Sequence, residues 1–145
     1  MKSFTKDDFV YRTCQTVVRH IRNHVEERRG GIHTRLFSHI LHPERDFVYI
    51  GHSAEAIAAI DIHCEHVVPC AVLVMETRRL IQEDQLDDDE IAKLLQKHWK
   101  IALITKKQAR HIDLELGYKS KMPAGWNFET GETLARLDKA NITLL

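Results

Sequence analysis

The chain has 145 residues, of which 43% are apolar, and its 21 basic and 21 acidic side chains give it no formal net charge. This length fits one domain with a sizeable core, and this apolar content excludes an intrinsically disordered protein. A balanced charge counts against a general nucleic-acid-binding protein. No apolar run approaches the ~18 residues of a membrane span, and the first residues lack a signal-peptide core. We therefore expect one cytoplasmic domain over 1–145 with no membrane partner.

The charge is unevenly distributed along the chain. Residues 1–45 carry nine basic and five acidic side chains, residues 46–97 carry four and eleven, and residues 98–145 carry eight and five. Two basic ends around an acidic middle could present a phosphate-facing surface next to an acidic metal site. Solvated faces that alternate in sign explain the same pattern equally well.

The N-terminal segment has the pattern of a long amphipathic helix. Thr5 and Asp8 form a capping-box pair, and Gly30 and Gly31 stop the helix. Between them, apolar residues recur with helical spacing for about five turns: Phe9, Val10, Cys14, Val17, Val18, Ile21 and Val25. This stripe is either the main core face or the seam of a homodimer, and core packing is the favoured interpretation.

The following segments predict short strands and helices in alternation. The apolar run 47–50 predicts a strand that Gly51 ends, and 101–104 predicts a second strand. Ser53, Asp87 and Thr105 are suitable N-caps. The predicted helices are 54–60 with Ile57 and Ile60 inward, 68–82 with Pro69 in its first turn, 88–97, 106 to about 116, and 133–141, before an apolar tail at 142–145.

The stretch 63–69, His-Cys-Glu-His-Val-Val-Pro, is the most unusual string in the sequence. A strand must stop at Pro69, which has no N–H to donate to a sheet. Neighbouring residues of a strand point to opposite faces, so Glu65 and His66 would have different roles.

The odd number of cysteines argues against a disulfide framework, and the spacing of Cys64 and Cys70 fits no zinc knuckle, so we expect both to be small buried residues.

Glu65-His66-Val67-Val68-Pro69 resembles the first motif of the HNH (ββα-metal, His-Me finger) endonucleases, which reads Asp/Glu-His-Ile/Val-Val/Ile-Pro. The resemblance implies that Glu65 binds a divalent metal and that His66 activates water. The segment 103–107 is similar to the strand-to-helix turn of that family. His98 best matches the middle residue of the motif and would be the second catalytic residue. Where the family has its last metal ligand this chain has Ala109, so the nearest histidine, His111, is the expected ligand.

The resemblance implies an endonuclease that hydrolyses phosphodiester bonds with Mg²⁺, or with Mn²⁺, Ni²⁺ or Zn²⁺ in its place. The expected partner is nucleic acid, DNA in preference to RNA. Basic and aromatic residues after the motif are candidates for contacting it: Lys106, Lys119, Lys121 and Trp126. Trp126 could instead anchor its loop on the core. The alternative function is an inactive HNH-like scaffold that serves as a phage or mobile-element regulator, binding nucleic acid or protein. A helical homodimerisation module without a site is a third interpretation.

The predicted fold class is α+β. A mostly helical domain would surround a small antiparallel hairpin made by 62–66 and 100–104, followed by the helix after Thr105. Residues 1–61 would form a helical part, 62–116 a ββα-like part with a helical insertion, and 117–145 a C-terminal loop and helix.

Overall fold

The computed structural model describes residues 3–145 and has an α+β architecture, in which helices surround a small mixed sheet. The strands are β1 (Tyr49–His52), β2 (Ile62–His66) and β3 (Ile101–Thr105). The helices are α1 (Lys6–Glu26), α2 (Leu36–Ile40), α3 (Arg45–Val48), α4 (Ala54–Ile57), α5 (Cys70–Glu83), α6 (Asp88–His98), α7 (Lys106–Arg110) and α8 (Ala135–Lys139). A single π-helical turn, His111–Glu115, extends α7.

The sheet has β3 at its centre, in the order β1-β3-β2. Strands β2 and β3 are antiparallel and in register from Ile62 opposite Thr105 to His66 opposite Ile101, which confirms the predicted pairing of these two segments. Strand β1 runs parallel to β3 on the other side. Pro69 follows β2 closely and is the N-cap of α5, so the chain turns at once from strand into helix.

The larger core lies where α1, α5 and α6 pack together. The central part of the α1 stripe is buried in it, as the core-packing interpretation of that helix expects, whereas Phe9 at its start is 46% exposed. The capping box predicted at Thr5 and the N-cap predicted at Asp87 are both present, and Asp87 forms a capping box as well. A smaller cluster joins the sheet to α7, the π-helical turn and the C-terminal segment: Val67, Ala102, Ile104, Ala109, Ile112, Leu137, Ala140 and Ile142. The helix after Thr105 therefore packs across the β2–β3 pair, with Ala109 in the contact.

The expected two-stranded antiparallel hairpin is instead part of a three-stranded mixed sheet. The elements predicted at 47–50 and 54–60 also differ from the structure. The strand expected at 47–50 begins at Tyr49 and reaches His52, because Phe47 and Val48 belong to α3. The helix expected at 54–60 ends at Ile57, and Ile57 and Ile60 are 67% and 99% exposed instead of facing inward. The chain has to leave this helix early, since Asp61 already accepts a hydrogen bond from the Lys106 amide where β2 begins to pair.

No helix within residues 3–145 is both long enough and apolar enough to cross a bilayer.

Candidate functional site

Glu65 and His66 open onto a groove of about 500 Å³ between the end of β2 and the start of α5. Residues from distant parts of the chain complete it: Thr34, Arg35 and Ser38 from the region around α2, Glu44 before α3, Asp113 from the π-helical turn, and Lys119 and Ser120 from the following loop. We call this the β2–α5 groove. It brings acidic, basic, imidazole and thiol groups to one open surface.

His66 is held at the groove by a buried carboxylate. Its Nε2 atom lies 2.8 Å from Oε2 of Glu44, and the same oxygen accepts a hydrogen bond of 2.7 Å from the indole N–H of Trp99. Glu44 is 7% exposed and Trp99 is fully buried. The indole therefore fixes the carboxylate, and the carboxylate orients the imidazole, as in sites where an acidic residue positions a catalytic histidine.

Cys70 also acts on the pKa of His66. It is the first residue of α5, and both residues line the groove. Burial alone would lower the pKa of His66, but the hydrogen bonds and negative charges of Cys70 and Glu44 outweigh it and raise that pKa to about 10. His66 is therefore protonated at neutral pH.

Both carboxylate oxygens of Glu65 contact other side chains. Its Oε1 lies 3.1 Å from the guanidinium of Arg136, which is 1% exposed, and its Oε2 lies 3.1 Å from Nε2 of His63. Arg136 also donates to the backbone carbonyls of His66 and Val67 and lies 3.7 Å from Asp113. The hydrogen bond with Glu65 raises the pKa of His63. Arg136 from α8 thus ties the end of β2 to the π-helical turn.

These residues do not fit a resident divalent metal in this arrangement. Such an ion needs two or three oxygen or nitrogen ligands from the protein, whereas both oxygens of Glu65 already have cationic or donating partners. Within residues 3–145, no three side chains of His, Cys, Asp or Glu form a group that could hold a metal ion. The metal stays a prediction.

Two predicted site residues, His98 and His111, lie outside the lining of the β2–α5 groove. His98 is fully buried, bonded to the Phe128 carbonyl at 2.8 Å and packed on Trp126, and this burial lowers its pKa. His111 lies 2.7 Å from Glu115 one turn further along its own helix. The structure therefore does not bring His98 or His111 together with His66. Asp113 is the residue of that helix that reaches the groove.

The predicted nucleic-acid contacts are divided between different surfaces. Lys119 lines the groove and is exposed. Lys106 lies beside Asp61 at the start of α7, with 3.8 Å between the charged atoms, and Lys121 is exposed on the loop. Trp126 is half-buried and donates its indole N–H to the Glu132 carbonyl at 2.9 Å. Trp126 thus anchors its loop on the core, which is the alternative that the sequence left open.

Sequence reasoning missed four residues of the site: Glu44, Cys70, Asp113 and Arg136. Cys70 could have been found, because a cysteine directly after a proline that starts a helix has a thiol at the positive end of the helix dipole. The other three carry no local signal. They lie 22, 47 and 70 residues from His66, and only the tertiary fold places them beside it.

Comparisons with known proteins identify no relative of this chain. No family model, no curated protein and no solved structure matches the chain.

Proposed function

We propose that this chain is an HNH-type endonuclease that hydrolyses phosphodiester bonds of nucleic acid in the β2–α5 groove. The observation that carries the proposal is the position of Glu65 and His66. They end a strand that pairs antiparallel with β3, α7 packs across that pair, and both residues line one open groove. This is the order of strand, strand and helix that the resemblance in the sequence implies.

His66 is the proton-transfer group of the proposal. Its orientation by Glu44 leaves the imidazole at the groove surface, with a side chain 28% exposed. With a pKa of about 10 it carries a proton at neutral pH. In the proposal it acts as the base: its unprotonated fraction, which grows about tenfold for each pH unit below the pKa, accepts a proton from the attacking water.

The basic side chains of the groove suit a phosphate substrate. Arg35 and Lys119 both line it, and both are exposed. Cationic groups beside a reacting phosphate attract the nucleic acid backbone and stabilise the charge that develops in the transition state. Glu44 and Glu65 are buried and paired, so their charges repel an incoming phosphate less than free carboxylates would.

A second candidate function is the inactive HNH-like scaffold, which would act as a nucleic-acid- or protein-binding regulator. One observation favours it. The buried guanidinium of Arg136 occupies the carboxylate of Glu65, which is the group that the HNH resemblance assigns to the metal. A chain in which this ion pair persists would bind without cleaving.

Cleavage of supercoiled plasmid and of single-stranded DNA and RNA tests the proposal. Purified protein is incubated with Mg²⁺, Mn²⁺, Ni²⁺ or Zn²⁺, or with a chelator, and compared with His66→Ala. Loss of a proton-transfer group should slow cleavage by about 10²–10⁴-fold. His39→Ala is the matched control, because His39 is an exposed histidine outside the groove, and it should cleave at the wild-type rate. No cleavage by the wild type under any of these conditions, together with nucleic-acid binding, would establish the regulator instead.

A further inference from the structure

Two histidines of β2, His63 and His66, line the β2–α5 groove, and the endonuclease proposal uses only His66. We propose that the two histidines together cleave RNA without a metal ion, with His63 as the general base, His66 as the general acid and the ribose 2′-hydroxyl as the nucleophile. This activity goes beyond the proposed function and does not depend on it, because it uses the protonated form of His66 and a different attacking group.

Each of the two histidines is oriented by its own carboxylate. Nε2 of His66 lies 2.8 Å from Glu44, and Nε2 of His63 lies 3.1 Å from Glu65. Both carboxylates are buried, whereas both imidazoles reach the groove. Each ring is thus held from the protein side through one nitrogen, and its other nitrogen, Nδ1, is left to exchange a proton with a substrate.

The two imidazoles belong to an edge strand, so one substrate group can meet both of them. The strand order β1-β3-β2 leaves one side of β2 without a partner strand. His63 and His66 are three residues apart and point to opposite faces of the strand, with their Cα atoms separated by roughly 10 Å. A phosphodiester placed against this edge can therefore present its attacking oxygen to one ring and its leaving oxygen to the other.

The strand edge between the histidines also offers a backbone donor to the phosphate. Val67, just after β2, donates to the Lys100 carbonyl. Hydrogen-bonded pairs alternate along an antiparallel ladder, so in the observed register the N–H of Cys64 is directed away from β3. Cys64 lines the groove with the exposed Arg35 and Lys119. This amide and the two cationic side chains can bind phosphate oxygens and stabilise the charge that develops on phosphorus.

The surroundings of the two histidines separate their protonation states. Burial opposes protonation of His66, but its neighbours raise its pKa to about 10, so at neutral pH it holds the proton that a leaving oxygen needs. The hydrogen bond with Glu65 raises the pKa of His63 from 6.5, while burial and the charge of His66 act in the opposite direction. His63 therefore loses its proton at lower pH than His66 and is the base of the pair.

The proposed reaction proceeds in two balanced steps. In the first, the 2′-hydroxyl gives its proton to His63, its oxygen bonds to phosphorus, the bond from phosphorus to the 5′-oxygen breaks, and His66 gives its proton to that oxygen. A 2′,3′-cyclic phosphate and a 5′-hydroxyl result. In the second, water gives a proton to His66, the hydroxide bonds to phosphorus, and the bond to the 2′-oxygen breaks. That oxygen takes the proton from His63, which leaves a 3′-phosphate and restores both histidines.

A single-stranded DNA oligonucleotide with one internal ribonucleotide is the probe that isolates this chemistry. In EDTA the wild type should cleave it only on the 3′ side of the ribonucleotide and leave a 2′,3′-cyclic phosphate, which mass spectrometry identifies. The same oligonucleotide with deoxyribose throughout has no 2′-hydroxyl and should stay intact. No cleavage at the ribonucleotide in EDTA, or equal cleavage of the two oligonucleotides, would overturn the proposal.

Substitutions of the two histidines test their roles on the same probe. His63→Ala and His66→Ala, purified in the same way as the wild type, should each cleave about 10²–10⁴-fold more slowly. The control is His39→Ala, at an exposed position outside the groove, which should cleave at the wild-type rate. Equal cleavage by the wild type and both groove variants would identify a contaminating ribonuclease and overturn the proposal.

The pH dependence of the wild type tests the assignment of acid and base without any variant. Cleavage of the probe should rise as His63 loses its proton above pH 6.5 and fall as His66 loses its own near pH 10. A rate that does not fall at the upper end would overturn the role of His66 as the acid. Cleavage of plasmid DNA with a divalent metal is a separate readout, so failure of this inference and failure of the endonuclease proposal are recognised independently.

Discussion

Glu44→Gln separates the charge of the buried carboxylate from its shape. The substitution keeps an oxygen that can accept from His66 and Trp99, whose nitrogens lie 2.8 and 2.7 Å from Glu44 Oε2. It removes the negative charge that helps to raise the pKa of His66. A hydrogen bond to a charged acceptor contributes about 1.5–3 kcal/mol and a neutral one about 0.5–1.5 kcal/mol. We therefore expect the free energy of unfolding to fall by about 1–2 kcal/mol.

The assay for this variant combines chemical denaturation with an NMR titration of the His66 ring. The pKa of His66, about 10 in the wild type, should move toward its ordinary value of 6.5. The matched control is Glu115→Gln, which removes the partner of the exposed pair with His111 and should change stability by less than about 1 kcal/mol. An unchanged His66 titration in Glu44→Gln would refute the account of how the site is built.

Three further predictions concern the ion pair at Glu65, the titration of His66 and the placement of the other histidines. Arg136→Met leaves the buried Glu65 carboxylate without its cation, so the free energy of unfolding, measured in urea, should fall by about 3–5 kcal/mol. The double variant Arg136→Met with Glu65→Gln should recover part of this lost stability. Folding raises the pKa of His66, so this residue contributes to stability below about pH 6.5 and loses that contribution as the pH rises through 10. The difference in free energy of unfolding between the wild type and His66→Ala should therefore shrink from pH 6.5 to pH 10. His98→Ala should cost about 2–4 kcal/mol because it empties a fully buried, hydrogen-bonded site, whereas His111→Ala should stay within about 0.5 kcal/mol.

Local sequence signals were sufficient to predict where the helices around the site begin. Three N-terminal caps, at Thr5, Asp87 and Thr105, start helices where the sequence predicts them, because a side-chain oxygen satisfies backbone groups only a few residues away. These caps depend on neighbours in the chain and can be identified without the fold. The antiparallel pairing of β2 with β3, which the structure has, was expected only from the HNH resemblance.

The partners of the motif could not be predicted in the same way. Arg136 reaches Glu65 from α8, and Glu44 reaches His66 from the segment before α3. Neither contact has a sequence spacing that distinguishes it. The positions of the residues after Arg110 could not be predicted either, because the helix that starts after Thr105 changes to a π-helical turn at His111. Extrapolating a regular helix of 3.6 residues per turn therefore misplaces the residues after Arg110, and Asp113, not His111, lies in the groove wall.

The pH dependence of cleavage tests the central claim that His66, held by Glu44, transfers the proton. The rate of plasmid cleavage by the wild type is measured between about pH 6 and pH 10. With His66 as the base and a pKa of about 10, the rate should rise about tenfold for each pH unit, and Glu44→Gln should shift the plateau to lower pH. A rate that is independent of pH, or a profile that Glu44→Gln leaves in place, would contradict the claim.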